Sequence, residues 1–319
     1  MSEFGRAIMS RAVRDSSLRK GQAGLTLVEM MVAITVGLIL ISGVIQIFTS
    51  SKQTYRIQDA TSRLQENGRF AVDMLRRDVR MAGFWGCNSN ITNVTSNLNA
   101  PGNYVDITLS GISGTDGAGG TPDTITLQGA FSSGLNVNSH SQAAASFATP
   151  AGNDLTQFEI ILVSDCNKAD ISQISNANPG TSGSVVVNTG VGAPGNATKP
   201  PQYPPGSSIY HVRKMTYSIQ NGASGQPGLF LNVDGVDQEM VEGVEDMQIL
   251  YGEDTDANNT ANRYVPAGTA GLNMDDVVSV RIALTLRTLE DNVALVTANG
   301  DRRIRNTFNM TVALRNRAG

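Results

Sequence analysis

Few side chains in this sequence are arranged to do chemistry, and the most conspicuous is a lone carboxylate. Glu29 is the single charge between Leu25 and Phe48, a stretch otherwise dominated by Leu, Ile, Val and Met. A carboxylate in such a run is costly in lipid, about 2.5–3.5 kcal/mol for Asp at a helix centre, so something must compensate it. The two histidines, His140 and His211, stand in separate segments with no Cys or carboxylate at ligand spacing, and suit structural positions at or just below the surface. No H-E-x-x-H, P-loop or G-x-S-x-G occurs. Gly190-Val191-Gly192-Ala193-Pro194-Gly195 satisfies G-x-G-x-x-G, but the following Asn-Ala-Thr-Lys-Pro-Pro cannot start a helix promptly, so it reads as loop. Asp254, Asp256 and Asn258 place oxygen donors at alternate positions, a spacing that suits calcium. The glycine and the acidic twelfth residue of an EF-hand are missing there; position 265 is Val. No catalytic constellation emerges, and the chain reads as a non-enzyme.

The elements that hold these residues begin with a helix. Leu25 to Phe48 would span about 36 Å as a helix, enough for a bilayer core of about 30 Å. Residues 1–24 carry five basic and two acidic side chains, the charge pattern of a segment retained on the cytoplasmic side. Gly21, Ala23 and Gly24 precede the apolar run and no A-x-A-like site follows it, so the run is expected to stay in the mature chain. Residues 49–82 continue the helix in amphipathic form: Leu64, Ala71, Met74, Leu75, Val79 and Ala82 fall near a 3.6-residue period. The whole helix would be about 85 Å long. The rest of the chain carries 19 basic and 26 acidic residues, which argues against binding nucleic acid.

Beyond Gly83 the pattern becomes one of strands between loops rich in Gly, Asn, Ser and Pro. Strands are expected at 158–163, 276–288 and 307–315, with others near 104–109, 123–128, 207–219, 228–233 and 244–251. Residues 110–122 and 176–206 read as mobile surface loops. Cys87 and Cys166, if outside the cytoplasm, are expected to form a disulfide, with two buried thiols as the alternative. Closing a loop of about 80 residues would contribute roughly 4 kcal/mol. Trp85, in Gly-Phe-Trp-Gly-Cys, is expected to pack where the helix meets the strands.

Gly24-Leu25-Thr26-Leu27-Val28-Glu29 resembles the class III prepilin signal of type IV pilins and type II secretion pseudopilins, with Leu25 where that family usually has Phe. Arg76–Cys87, Val241–Asp256 and Asp275–Thr288 are similar to the corresponding stretches of PilW-type minor pilins, and more distantly to the J-type minor pseudopilin. The likeness covers the N-terminal helix and the final third; about 88–206 matches nothing.

The resemblance implies an α+β fold, a long membrane-spanning helix followed by a mainly antiparallel β-rich pilin-like domain. It divides the chain into a leader (1–24), a transmembrane half-helix (25–48), an extracytoplasmic half-helix (49–82) and a β-domain (83–319). A prepilin peptidase would cut between Gly24 and Leu25 and N-methylate Leu25, and Glu29 would guide subunit docking. If helical, the new amine would lie one turn from Glu29, on the same face. The implied function is that of a minor pilin priming a type IV pilus near its tip, in support of twitching motility, adhesion or DNA uptake. A type II secretion pseudopilin is the alternative within this architecture, and a signal-anchored binding domain the alternative outside it. The implied partners are the peptidase, other minor pilins, the major pilin, the inner-membrane assembly platform and membrane lipid. The implied location is the inner membrane with a periplasmic domain, then the pilus; no cofactor is expected beyond the calcium candidate.

Overall fold

The computed structural model describes residues 24, 26–87, 91–99, 107–294 and 300–317. No proline falls between Leu25 and Ala82, so nothing interrupts the backbone ladder, and helix α1 (Leu27–Met81) runs for 55 residues. The chain divides into two compact units, Met1–Tyr55 and Arg56–Gly319. In the first, the helix from Met30 to Phe48 carries no charge and is mostly apolar on every side. Its large apolar side chains from Leu27 to Phe48 are each at least half exposed. Among the described residues it is the one helix long and apolar enough to cross a membrane.

In the second unit the helix becomes amphipathic. Ala60, Leu64, Gly68, Ala71, Leu75 and Val79 are buried at steps of three and four residues, while Arg63, Glu66, Arg69, Asp73 and Arg76 are exposed. Gly68 makes room for the last strand: a Cβ there would lie 2.3 Å from the Phe308 ring. The helix stops at a glycine. Gly83 has φ +70°, the left-handed conformation common just past a helix end, and its N–H donates to the Gln128 carbonyl at 2.9 Å.

Fifteen strands follow among the described residues. They are β1 (Val94–Ser96), β2 (Ile112–Thr115), β3 (Thr124–Asn136), β4 (Ser139–Ser141) and β5 (Ser146–Ala148). Next come β6 (Ile160–Ser164), β7 (Ala169–Gln173), β8 (Ser184–Val186), β9 (Ser208–Asn221) and β10 (Pro227–Val233). The last five are β11 (Val236–Glu242), β12 (Val244–Glu253), β13 (Arg263–Val265), β14 (Val277–Arg287) and β15 (Arg305–Ala313). An eight-stranded sheet runs β1-β7-β6-β9-β10-β11, with β3 paired to β9 and β2 to β3. A four-stranded sheet runs β13-β12-β14-β15, and β4-β5-β8 form a small third sheet. All pairs are antiparallel except β1 with β7.

The main core joins helix and sheets: Leu64, Leu75 and Val79 cluster with Tyr217 of β9, Leu229 of β10, Ile249 of β12 and Leu284 of β14. Each large apolar side chain buried there contributes about 1.5–3 kcal/mol. The Tyr217 hydroxyl donates to the Asp78 carboxylate, tying the same stripe of α1 to β9. Burial and this bond together push the Tyr217 phenol well above its usual range.

Several expected boundaries move. Residues 110–122 hold β2, and 176–206 hold helix α2 (Pro179–Ser182) and β8, with Val185, Val187, Asn196 and Tyr203 buried. These stretches are therefore not plain surface loops. Their order rests on polar pairing that leaves no hydrophobic period: Asn196 donates its amide to the Gln173 carbonyl and accepts the Gln173 N–H, both at 2.7 Å, as a strand would. Of the strand expected at 104–109, residues 104–106 lie outside the described residues and 107–109 are not strand. β3 continues past 128 to Asn136 through a register shift between Ser132 and Leu135. β6 begins at Ile160; Phe158 precedes it at φ +67° and 47% exposed.

Gly111 (φ +68°) lies against Gly83, and an added Cβ would sit 2.2 Å from the Gly83 Cα. Gly111→Ala is expected to destabilise the protein by about 2–4 kcal/mol, through backbone strain and a clash that no side chain can relieve. Urea unfolding checks this; a loss below about 1 kcal/mol would show that the two backbones separate freely.

Candidate functional site

The first turn of α1 is built by Thr26. Its hydroxyl oxygen accepts the Glu29 N–H at 3.3 Å and its carbonyl accepts the Met30 N–H at 3.1 Å, making it the N-cap. Thr26-Leu27-Val28-Glu29 is the capping-box spacing, and it puts Glu29 in the turn where unpaired N–H groups favour a negative charge. The helix begins at Leu27, with Gly24 and Thr26 outside it. Leu25, the expected methylation position, lies outside the described residues, as does the leader before Gly24.

A helix N-terminus favours a carboxylate by about 0.3–1 kcal/mol. That is less than the roughly 2.5–3.5 kcal/mol an acid costs deep in a bilayer. Helix capping alone does not balance Glu29.

Beyond the helix end, Cys87 and Cys166 form a disulfide with Cα atoms 4.8 Å apart, closing a sequence separation of 79. Beside it Trp85 is buried with Leu162 and Ile171, and its Nε1 donates to the Leu109 carbonyl at 2.8 Å. The expected packing role of Trp85 is what the structure shows.

The residues at the calcium spacing form a hydrogen-bonded turn. The Asp254 carboxylate accepts the backbone N–H groups of Asp256 (3.2 Å), Asn258 (3.3 Å) and Asn259 (2.6 Å). The Asn258 amide in turn donates to Asp256 at 3.0 Å. Neighbouring Glu253 binds Arg263 at 2.6 Å and the Asn273 N–H at 2.9 Å, and these donors hold its carboxyl below the usual range. Among the described residues no group of three or more His, Cys, Asp or Glu is placed to hold a metal.

The histidines divide. His140 is half-buried and stacks on Phe147 with ring centroids 4.0 Å apart. His211 is buried, and its Nδ1 bonds the Glu159 carboxylate while Nε2 lies 3.5 Å from Asp154. These partners are 52 and 57 positions away in the chain, a pairing that local spacing does not reveal. The Glu159 bond raises the His211 pKa above its ordinary 6.5 against the opposing effect of burial; Asp154 adds to the rise and Arg213 opposes it. Burial, then Lys168, lowers that of His140.

Two family models match this chain. Residues 19–45 match the prokaryotic N-terminal methylation motif, and residues 216–316 match the type IV pilus-assembly protein W. No curated protein and no solved structure matches. The first match, with α1, fits an inner-membrane-anchored pilin processed by a prepilin peptidase. The second shows similarity to the PilW-type minor pilins of type IV pili over a stretch that runs from Thr216 in β9 through β15. Both families are structural rather than enzymatic.

A histidine whose folded pKa is raised stabilises fully below about pH 6.5 and loses that contribution as pH rises through the folded value. His211→Gln is therefore expected to cost more stability at pH 5.5 than at pH 8.5. Comparing variant with wild type at each pH cancels the opposite trend of His140. Equal costs at the two pH values would deny the ion pair its role.

Proposed function

We propose that this chain is a minor pilin that primes assembly of a type IV pilus and sits at or near the fibre tip, in support of twitching motility, adhesion or DNA uptake. It does so without an enzymatic step of its own. The prepilin peptidase cuts between Gly24 and Leu25 and methylates the new Leu25 amine. The domain then waits in the periplasm on its inner-membrane anchor, engages the assembly platform and other pilins, and leaves with the fibre.

The observation that carries this reading is Glu29, one acid in the first turn of an exposed apolar helix, five residues past Gly24. Helix capping leaves most of its cost in lipid uncompensated. Cleavage at Gly24 creates an amine near it, and the amine of a neighbouring pilin can serve equally. A charge satisfied by a neighbour's terminus fixes how far one helix slides along the next, which gives the acid a role in docking rather than in anchoring.

The mature protein is expected to begin at N-methylated Leu25 by mass spectrometry; assembled protein retaining its leader would contradict the processing step. Glu29→Ala is expected to leave membrane insertion intact and to reduce recovery in sheared fibres at least tenfold. Wild-type recovery in the fibre fraction would remove the docking role.

A further inference from the structure

Strands β6 and β10 share one edge of β9. β6 pairs with Ser208–His211 and β10 with Asn221–Met215, while β3 occupies the opposite edge. Where the two strands part, a cleft of about 800 Å³ opens beside Arg213. Thr156, Gln157, Phe158 and Glu159, from the segment leading into β6, supply one part of its wall. Asp234 and Asp237 of the β10–β11 turn supply another.

One side chain holds both ends of the 154–159 turn. The buried His211 ring bonds the Glu159 carboxylate through Nδ1 and places Nε2 3.5 Å from the Asp154 carboxylate. Glu159 also gathers the turn from inside, accepting the Thr156 N–H at 3.0 Å and its hydroxyl at 3.4 Å. An imidazolium has two N–H groups, one for each carboxylate, whereas a neutral imidazole has one. Once Glu159 keeps that one, Nε2 turns a lone pair toward Asp154 and the contact becomes repulsive. Asp154 is the partner that can leave, since its side chain is 72% exposed against 20% for Glu159. Arg213, two residues along β9, works against the charged ring; Phe131 of β3 and Ile161 of β6, opposite His211, carry no charge.

We propose that His211 is a proton-operated latch on the cleft wall: protonated, it clamps Asp154 and Glu159 together; neutral, it releases Asp154 and the turn loosens. The latch is closed below about pH 6.5 and opens as pH rises through the ring's higher folded value. Opening stays local. Leu155 remains buried, the Phe158 N–H donates to the Ile174 carbonyl at 2.9 Å, and the Gln157 amide donates to the Ser175 carbonyl at 3.1 Å. These anchors keep the segment on the domain while the residues between them gain freedom. The wall of the cleft is thus firm in acid and yields when the ring loses its proton. The device acts within the folded domain and does not depend on fibre assembly.

Hydrogen exchange read by mass spectrometry tests this on the full chain in detergent, from pH 5.5 to 9.5, with labelling times scaled for the intrinsic pH dependence of exchange. The peptide covering 154–158 is expected to exchange at least threefold faster at the alkaline end, with a midpoint above pH 6.5, while β14 stays unchanged. Asp154→Asn, at an exposed position, offers the neutral ring an amide donor, so slow exchange is expected to persist at alkaline pH. His211→Gln cannot titrate there, and a single scaled rate is expected across the range. A wild-type peptide indifferent to pH, an equal acceleration in β14, or a wild-type response in either variant would each overturn the proposal.

Discussion

The second unit is organised around one buried stripe of helix. Between Ala60 and Val79 a row of small and branched side chains gathers residues from both the eight-stranded and the four-stranded sheet into a single core. Neither sheet could bury its apolar face without that row. The Asp78–Tyr217 bond fixes the helix lengthwise on β9, and Gly83 ends it against β3. The stripe and the apolar segment are both stretches of helix α1.

That continuity explains a division of labour along α1. Where the side chains are apolar on every face, the helix suits lipid or the flank of another helix. Where charges return on one side, it suits a protein core on the other. Glu29 departs from this order, and the departure lies at the helix end, where a cap and the helix dipole lower its cost and a processed amine can offset the rest.

The long-period features were readable in the sequence. The stripe Leu64, Ala71, Met74, Leu75, Val79 and Ala82 is buried in full, and Val280, Ile282, Leu284 and Leu286 face the core as their alternation requires. The middle of the chain was less legible because its order is carried by side-chain amides. Asn97, Gln173 and Asn196 bridge segments far apart in sequence, and such pairs leave no hydrophobic rhythm. Ser279 shows the same limit on a smaller scale: a polar residue alternating with Val278 and Val280, it is nonetheless buried, with the Tyr264 hydroxyl 2.9 Å from its own. The cleft beside Arg213 is a property of strand lengths and shared edges, which residue types alone do not encode.

If the Leu25 amine neutralises Glu29, the two groups must lie close together in the mature protein. Solid-state NMR on assembled or lipid-embedded mature protein, with 15N in the Leu25 amine and 13C in the Glu29 carboxyl, reads whether the two groups meet within or between chains. A dipolar coupling that corresponds to about 4–6 Å is expected, the range over which opposite charges compensate. No detectable coupling in fibre-borne protein would contradict it.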